Sequence, residues 1–183
     1  MYACSPPFVL NKRHIKSCQV DEICKVVEEK GEVAKERGVG PDKKAKTIFA
    51  EPPLLGDFYS RLINDVFFIN REYYGFDLYD NQLSTPQFTI YDSDQFARYG
   101  PHRDMIPSPF YDIKLTAIIN VSQEPYVGGN FKIHERLEQQ KEEIKFDSQD
   151  LIVFPSFYMH EVTPLVTGVR KSLTIFFDGP PFR

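Results

Sequence analysis

From residue 76 onward the sequence breaks into short alternating runs separated by Gly, Pro, Asn and Asp, and no other feature constrains the fold as tightly. The runs are Phe76–Leu83, Gln87–Tyr91, Ile113–Val121, Asn130–His134, Glu143–Phe146, Leu151–Phe154, Met159–Val162 and Lys171–Asp178. Period-two alternation in pieces this short reads as strands, and about eight such strands with turn signals between them form a sandwich or a jelly-roll barrel. Before residue 76 the period is helical. Val20, Ile23, Cys24 and Val27 share one helix face, which Gly31 terminates. Phe58, Leu62, Val66, Ile69 and Tyr73 define a second helix, with Asp57 placed to cap it and Gly75 at its end. Thr47–Ala50, ahead of Pro52-Pro53, reads as a strand. The expected class is mainly β with flanking helices (α+β). Residues 76–183 form the core, and residues 1–75 form a helix-and-strand buttress on the outside of one sheet, within a single domain spanning 1–183.

Composition narrows the function classes. At 183 residues, 42% hydrophobic and 26% charged, the chain builds one core and is not disordered. It has no apolar run of the roughly 20 residues a membrane span needs, and Met1–Pro7 lacks the basic-then-apolar pattern of a signal peptide. A cytoplasmic protein is the expectation, with no membrane partner. The net charge of −4 argues against a protein built to grip nucleic-acid phosphates. Lys43-Lys44-Ala45-Lys46 reads as a solvated edge or loop, and Glu135 to Lys145 as a solvated hairpin loop. Cys4, Cys18 and Cys24 form no C-x-x-C, and they read as reduced thiols with Cys24 in a helix core.

Two of the four histidines stand where chemistry would want them. His102-Arg103-Asp104 puts an imidazole and a carboxylate on the same side of an extended backbone, where they can take adjacent positions on one metal. His160 follows the strand Leu151–Phe154. Two imidazoles and one carboxylate on one face of an ion leave the other face open, as in non-haem iron(II) oxygenases. Taken singly, His102 also fits a turn histidine after Gly100-Pro101, and His160 a satisfied half-buried one. Arg170 raises the joint reading. It opens a strand whose one face carries Arg170, Ser172 and Thr174 and whose other face carries Leu173, Ile175 and Phe177. A guanidinium inside a barrel must be paired, and its fork suits a carboxylate. An external anion or an internal salt bridge would each serve. Tyr91, on the polar side of Gln87–Tyr91, can donate to the same carboxylate. Lys114, Thr116 and Asn120 form the polar side of another strand.

Together these residues resemble the 2-oxoglutarate- and Fe(II)-dependent dioxygenases, in particular their prolyl 4-hydroxylase-like and PKHD-type hydroxylase branch. The resemblance runs over roughly residues 86 to 178. It rests on Tyr91 with Arg98–Asp104, on Leu115–Val121 leading to Gly128-Gly129-Asn130-Phe131, and on Asp150–Pro155 through His160–Pro164 to Gly168-Val169-Arg170. It implies a double-stranded β-helix, the jelly roll, with Fe(II) held by His102, Asp104 and His160. It implies 2-oxoglutarate anchored by Arg170, with Tyr91 assisting and Ser172 beside it. Asn120 occupies a place where relatives put another group near the co-substrate. The implied activity couples decarboxylation of 2-oxoglutarate to succinate with O2-dependent hydroxylation of a C–H bond, with ascorbate as an accessory reductant. The implied substrate is a prolyl or other peptidyl residue, with loops Asp92–Tyr99 and Ser122–Gly128 as a groove. A free amino acid or other small molecule is the alternative, and a non-redox cupin-like metal-binding protein is the rival in another class. An intact Asp104 favours hydroxylation over halogenation. Phe176, where the nucleic-acid demethylating branch places a second Arg, argues against that branch.

Overall fold

In the computed structural model, which describes residues 5–34, 42–80, 84–105, 108–134 and 141–182, antiparallel strands dominate. In chain order they are β1 (Val9–Asn11), β2 (Glu32–Val33), β3 (Lys43–Lys44), β4 (Lys46–Phe49), β5 (Gln87–Asp92), β6 (Arg98–His102) and β7 (Asp112–Asn120). They continue as β8 (Val127–Gly128), β9 (Phe131–His134), β10 (Lys141–Ile144), β11 (Leu151–Pro155), β12 (Met159–Val162), β13 (Leu165–Thr167) and β14 (Val169–Gly179). A seven-stranded sheet has the order β1-β11-β7-β14-β5-β4-β2, and a five-stranded sheet has the order β10-β9-β12-β6-β3. β13 and β8 pair separately. This is the expected jelly roll, and residues before 76 add strands to both sheets.

Helices α1 (Ser17–Lys30) and α2 (Pro52–Ile69) cover the outer face of the larger sheet. Leu115, Ala117 and Ile119 of β7 and Leu173, Ile175 and Phe177 of β14 pack there against Val20, Ile23 and Val27 of α1 and Leu62, Val66 and Ile69 of α2. The opposite residues of the same strands face the second sheet. Ile118 joins Ile152, Phe154, Phe131 and Ile133 in a second cluster between the sheets. The central strands are thus buried on both faces, each fully buried large apolar side chain contributing ~1.5–3 kcal/mol. Cys24 sits in the helix-side core as expected, its Sγ 3.2 Å from the Val121 carbonyl oxygen. Burial pushes its thiol up to about 11. Cys18 is a free exposed thiol, and Cys4 lies outside the described residues. No helix among the described residues is long and apolar enough to cross a membrane.

Several local expectations are corrected. Helix α2 begins at Pro52 and is interrupted at Gly56 (φ 52°), so Asp57 follows a break inside the helix instead of capping its start. A π-helical turn, Asn70–Tyr74, then shifts the register. The expected Tyr73 is left exposed, while Tyr74 packs against the core and its hydroxyl donates to the Val153 carbonyl at 3.1 Å. Gly75 ends this turn in the left-handed region (φ 68°), as its place in the sequence suggested.

Phe76 to Asp80 forms no strand. The Asn70 side-chain amide takes both backbone groups of Phe76 (2.9 and 3.0 Å), and the Phe76 ring stacks on Tyr74. Residues 81–83 of that expected strand lie outside the described residues. The strand expected at Glu143–Phe146 forms at Lys141–Ile144, paired with β9, within the stretch read as a hairpin loop. Residues 135–140 of that loop lie outside the described residues. The basic run at 43–46 is not uniformly solvated: Lys44 and Lys46 are exposed, whereas Lys43 is buried.

Candidate active site

The two sheets enclose a cavity of about 270 Å³. Strand register brings its chemistry together. β12 pairs with β6 so that His160 lies directly across from His102, and Asp104 follows β6 with its backbone N–H donating to the Ser156 carbonyl at 3.1 Å. The His102 and His160 ring centroids are 4.1 Å apart. One Asp104 oxygen lies 3.5 Å from His102 Nε2, and the other lies 3.3 Å from His160 Nε2. One ligand atom from each of these three residues falls within 4.8 Å of the others. That spacing suits a single ion.

Each imidazole is aimed by its other nitrogen. His102 Nδ1 lies 2.8 Å from the Gly100 carbonyl oxygen, and His160 Nδ1 lies 3.1 Å from that of Tyr158. A carbonyl only accepts, so Nδ1 carries the proton and Nε2 presents a lone pair to the shared centre. Burial pulls the His160 pKa below its ordinary value, against the pull of Asp104, which keeps that lone pair free. Burial alone would raise the Asp104 carboxyl, but the two imidazoles and a 2.8 Å hydrogen bond from Thr116 Oγ1 hold it below the usual carboxylate range. Thr116 is itself 2.9 Å from Ser156 Oγ. The Tyr99 ring stacks on His102 with centroids 3.5 Å apart, and Phe154 packs edge-on to His160.

Arg170 lies on the opposite wall of the same cavity, on β14. It is 1% exposed, yet among the described residues its Nε and Nη2 have no hydrogen-bond partner, and its Nη1 reaches only the Ser172 hydroxyl at 3.5 Å. Gly129 (φ 61°) makes room for it, since a Cβ there would come within 3.1 Å of Arg170 Cδ. Tyr91 is the cross-strand neighbour of Arg170, its ring centroid 5.2 Å from the guanidinium carbon. Burial pushes the Tyr91 hydroxyl up to about 12, so it remains a donor at neutral pH. Ser172 and Thr174 complete the polar edge.

A family profile described as the 2OG-Fe(II) oxygenase superfamily matches residues 86–178, half of the chain, and that stretch contains all of these groups. The chain belongs to the 2OG-Fe(II) oxygenase superfamily. Among curated proteins it is 32% identical over 94 residues to the PKHD-type hydroxylase YbiX of Escherichia coli O1:K1 / APEC, a match covering 48% of this chain and 40% of that protein. The solved prolyl-4-hydroxylase of Pseudomonas putida superposes with a TM-score of 0.72 at 18% identity, over 96% of this chain and 94% of that one. A Trichoplax adhaerens prolyl hydroxylase, solved with a hypoxia inducible factor oxygen degradation domain peptide fragment, gives 0.74 at 15% identity over 93% and 83%. Both carry the same jelly-roll fold.

Membership in this superfamily makes Fe(II) and 2-oxoglutarate the cofactors. The residues fit both. Two imidazoles and a carboxylate are an iron(II) donor set, and a buried guanidinium with unused donors is a receptor for a carboxylate.

Six of the seven site residues named from the sequence line this cavity or its metal cluster; Asn120 does not. Its amide donates to Tyr126 Oη and the Phe146 carbonyl, both at 2.9 Å, and accepts from Ser122, so it ties loops together beyond the cavity. Lys114 also points away, its ammonium 3.2 Å from the Phe182 ring centroid. Sequence reasoning missed Tyr99, Ser156 and Lys43, and it missed the grip of Thr116 on Asp104. Alternation did mark Lys43: Lys43 and Ala45 turn inward while Lys44 and Lys46 face out.

Proposed function

We propose that the protein is a 2-oxoglutarate- and Fe(II)-dependent dioxygenase that hydroxylates a C–H bond, with a peptidyl prolyl residue as the leading substrate class. The observation that carries this reading is Arg170, a buried guanidinium with two nitrogens unmatched among the described residues, in the same cavity as the His102–Asp104–His160 cluster. Such a cation is costly alone and becomes compensated when an anion docks. His102 and His160 give Nε2 and Asp104 a carboxylate oxygen to Fe(II). Arg170 receives the distal carboxylate of 2-oxoglutarate, with the Ser172 and Tyr91 hydroxyls beside it. Thr116 and the Gly100 and Tyr158 carbonyls hold the ligands in orientation.

Bound Fe(II) supplies the redox chemistry that activates dioxygen. Overall, 2-oxoglutarate, O2 and R–H give succinate, CO2 and R–OH. The chain positions these reactants and keeps water out with the Ile118, Phe131 and Val162 side chains of the cavity wall. A peptide substrate is supported by the hydroxylase names of the relatives and by the peptide bound in the Trichoplax structure. A cytoplasmic site of action belongs to the same proposal, in keeping with the unpaired thiols of Cys18 and Cys24.

The test is succinate release from 2-oxoglutarate by protein supplied with Fe(II) and ascorbate, together with a +16 Da shift on a proline-rich peptide panel. Loss of a metal ligand in His160→Ala exceeds the roughly 10–100-fold cost of losing an outer-shell partner, so turnover should fall to background while the circular dichroism spectrum is retained. Equal succinate release by the wild type and His160→Ala would overturn the assignment.

A further inference from the structure

The cavity holds a second buried cation for which the oxygenase reading has no use. Lys43, on the edge strand β3, is 8% exposed and lines the same cavity. Its ammonium stands 5.3 Å from the Tyr99 ring centroid, and that ring in turn stacks on His102. Among the described residues it has no hydrogen-bond acceptor and no ion-pair partner. Its chain neighbour Asp42 is committed elsewhere: it accepts from Arg98 Nη2 at 2.7 Å, and its backbone carbonyl accepts from the Gly100 N–H. Those two bonds fix β3 against β6 and so fix where Lys43 points.

Charge in the cavity is lopsided. Its walls carry Lys43, Arg103 and Arg170 against Asp104 alone, in a chain whose net charge is −4. Loading Fe(II) and the 2-oxoglutarate dianion adds charges that cancel. Arg170 is then occupied by the co-substrate, and Arg103 is exposed. Lys43 is left as a largely buried cation on the cavity wall, with no hydrogen-bond or ion-pair partner among the described residues. A Tyr ring offsets part of that cost, but it offers no lone pair to three N–H groups.

We propose that Lys43 is a specificity-determining residue that receives a carboxylate of the prime substrate, so that the enzyme selects an anionic amino acid or peptide over its neutral analogue. The assignment rests on the oxygenase reading and names the substrate's charge. Burial lowers the Lys43 pKa to about 8, against the pull of Asp104, so the ammonium is the main form at neutral pH and an incoming carboxylate would favour it further.

The experiment is calorimetry on the full chain loaded with Mn(II) and 2-oxoglutarate, which binds substrate without turning it over. The probes are N-acetyl amino acids and short peptides, proline and hydroxyl-free relatives included, each as the free acid and as the matching amide. At least one acid should outbind its amide by about tenfold, equivalent to ~1.4 kcal/mol. Lys43→Met should erase that preference, and Lys43→Arg should keep most of it. The proposal is overturned if no acid outbinds its amide, or if the preference survives Lys43→Met. It is also overturned if Lys43→Met weakens 2-oxoglutarate itself as much as Arg170→Met does, which would make Lys43 part of the co-substrate clamp. Failure of the wild type to bind 2-oxoglutarate and release succinate would strike the oxygenase reading instead.

Discussion

The two faces of β14 make different uses of one strand. Leu173, Ile175 and Phe177 point to the helices and are fully buried, Phe177 meeting Phe67 edge-on with ring centroids 6.1 Å apart. Arg170, Ser172 and Thr174 point between the sheets, where the guanidinium of Arg170 is equally buried but has two donors unmatched among the described residues. The outer face satisfies itself, as a stability element must. The inner face is satisfied only when something enters. A strand needs no special sequence to do both, because alternation separates the two tasks by one residue. A region where burial is complete and polar satisfaction is not marks where the molecule expects a ligand.

The largest expected effect tests the inner face. Arg170→Met should weaken 2-oxoglutarate binding by ~2–5 kcal/mol, the range for truncating one partner of a buried charge pair. The ligand-free protein should hold its stability or gain, since replacing an uncompensated buried charge by an apolar group of similar volume is neutral or favourable. Calorimetry with 2-oxoglutarate and denaturant unfolding without it give the two numbers. A variant that lost stability while binding normally would make Arg170 structural and erase the contrast.

The outer face should respond in the opposite sense. Leu173 is 0% exposed between α1, α2 and β7. Leu173→Ala should cost roughly 3–4 kcal/mol of folding stability through lost burial and the cavity left behind, seen as a lower urea midpoint. Fully folded Leu173→Ala should bind 2-oxoglutarate as the wild type does. A tenfold loss of affinity would show that the two faces are mechanically coupled.

How much of this contrast the sequence revealed depends on the range of the interactions involved. Alternation placed Arg170 and Leu173 on opposite faces, and H-x-D with a distant His located the metal cluster, because both signals are local or carried by rare residue types. The run Lys43–Lys46 reads as a solvated edge or loop, which fits Lys44 and Lys46 but not Lys43. Alternation separates Lys43 from its outward neighbours, but what it turns toward is set by the pairing of a two-residue strand with Tyr99 across a large sequence separation, which no local period records. Phe76 to Asp80 alternates like a strand, yet the Asn70 amide takes the backbone groups that a partner strand would need. Asn120 shows the same limit. Its place on β7 pointed toward the co-substrate, but a Tyr hydroxyl, a carbonyl and a serine absorb its amide first.

The smallest expected effect concerns the second cation of the cavity, which faces it from the other sheet. Lys43 has its pKa drawn down from 10.5 to about 8 by burial. Below pH 8 both folded and unfolded chains hold this proton, and the folded state bears the full cost of the buried ammonium. Between pH 8 and 10.5 the unfolded chain keeps the proton that the folded chain has lost, so this group makes stability rise with pH across that window. The gain is at most ~3 kcal/mol, and it is opposed above pH 9 by Cys24, whose raised thiol pKa acts in the other direction. The difference between wild type and Lys43→Met in the metal-free protein isolates it, because Cys24 is common to both. Lys43→Met should be the more stable of the two at pH 7, and the gap should close as pH approaches 10. A gap that stays constant with pH would mean that Lys43 is solvated in the folded protein, and the cavity would then hold one buried cation instead of two.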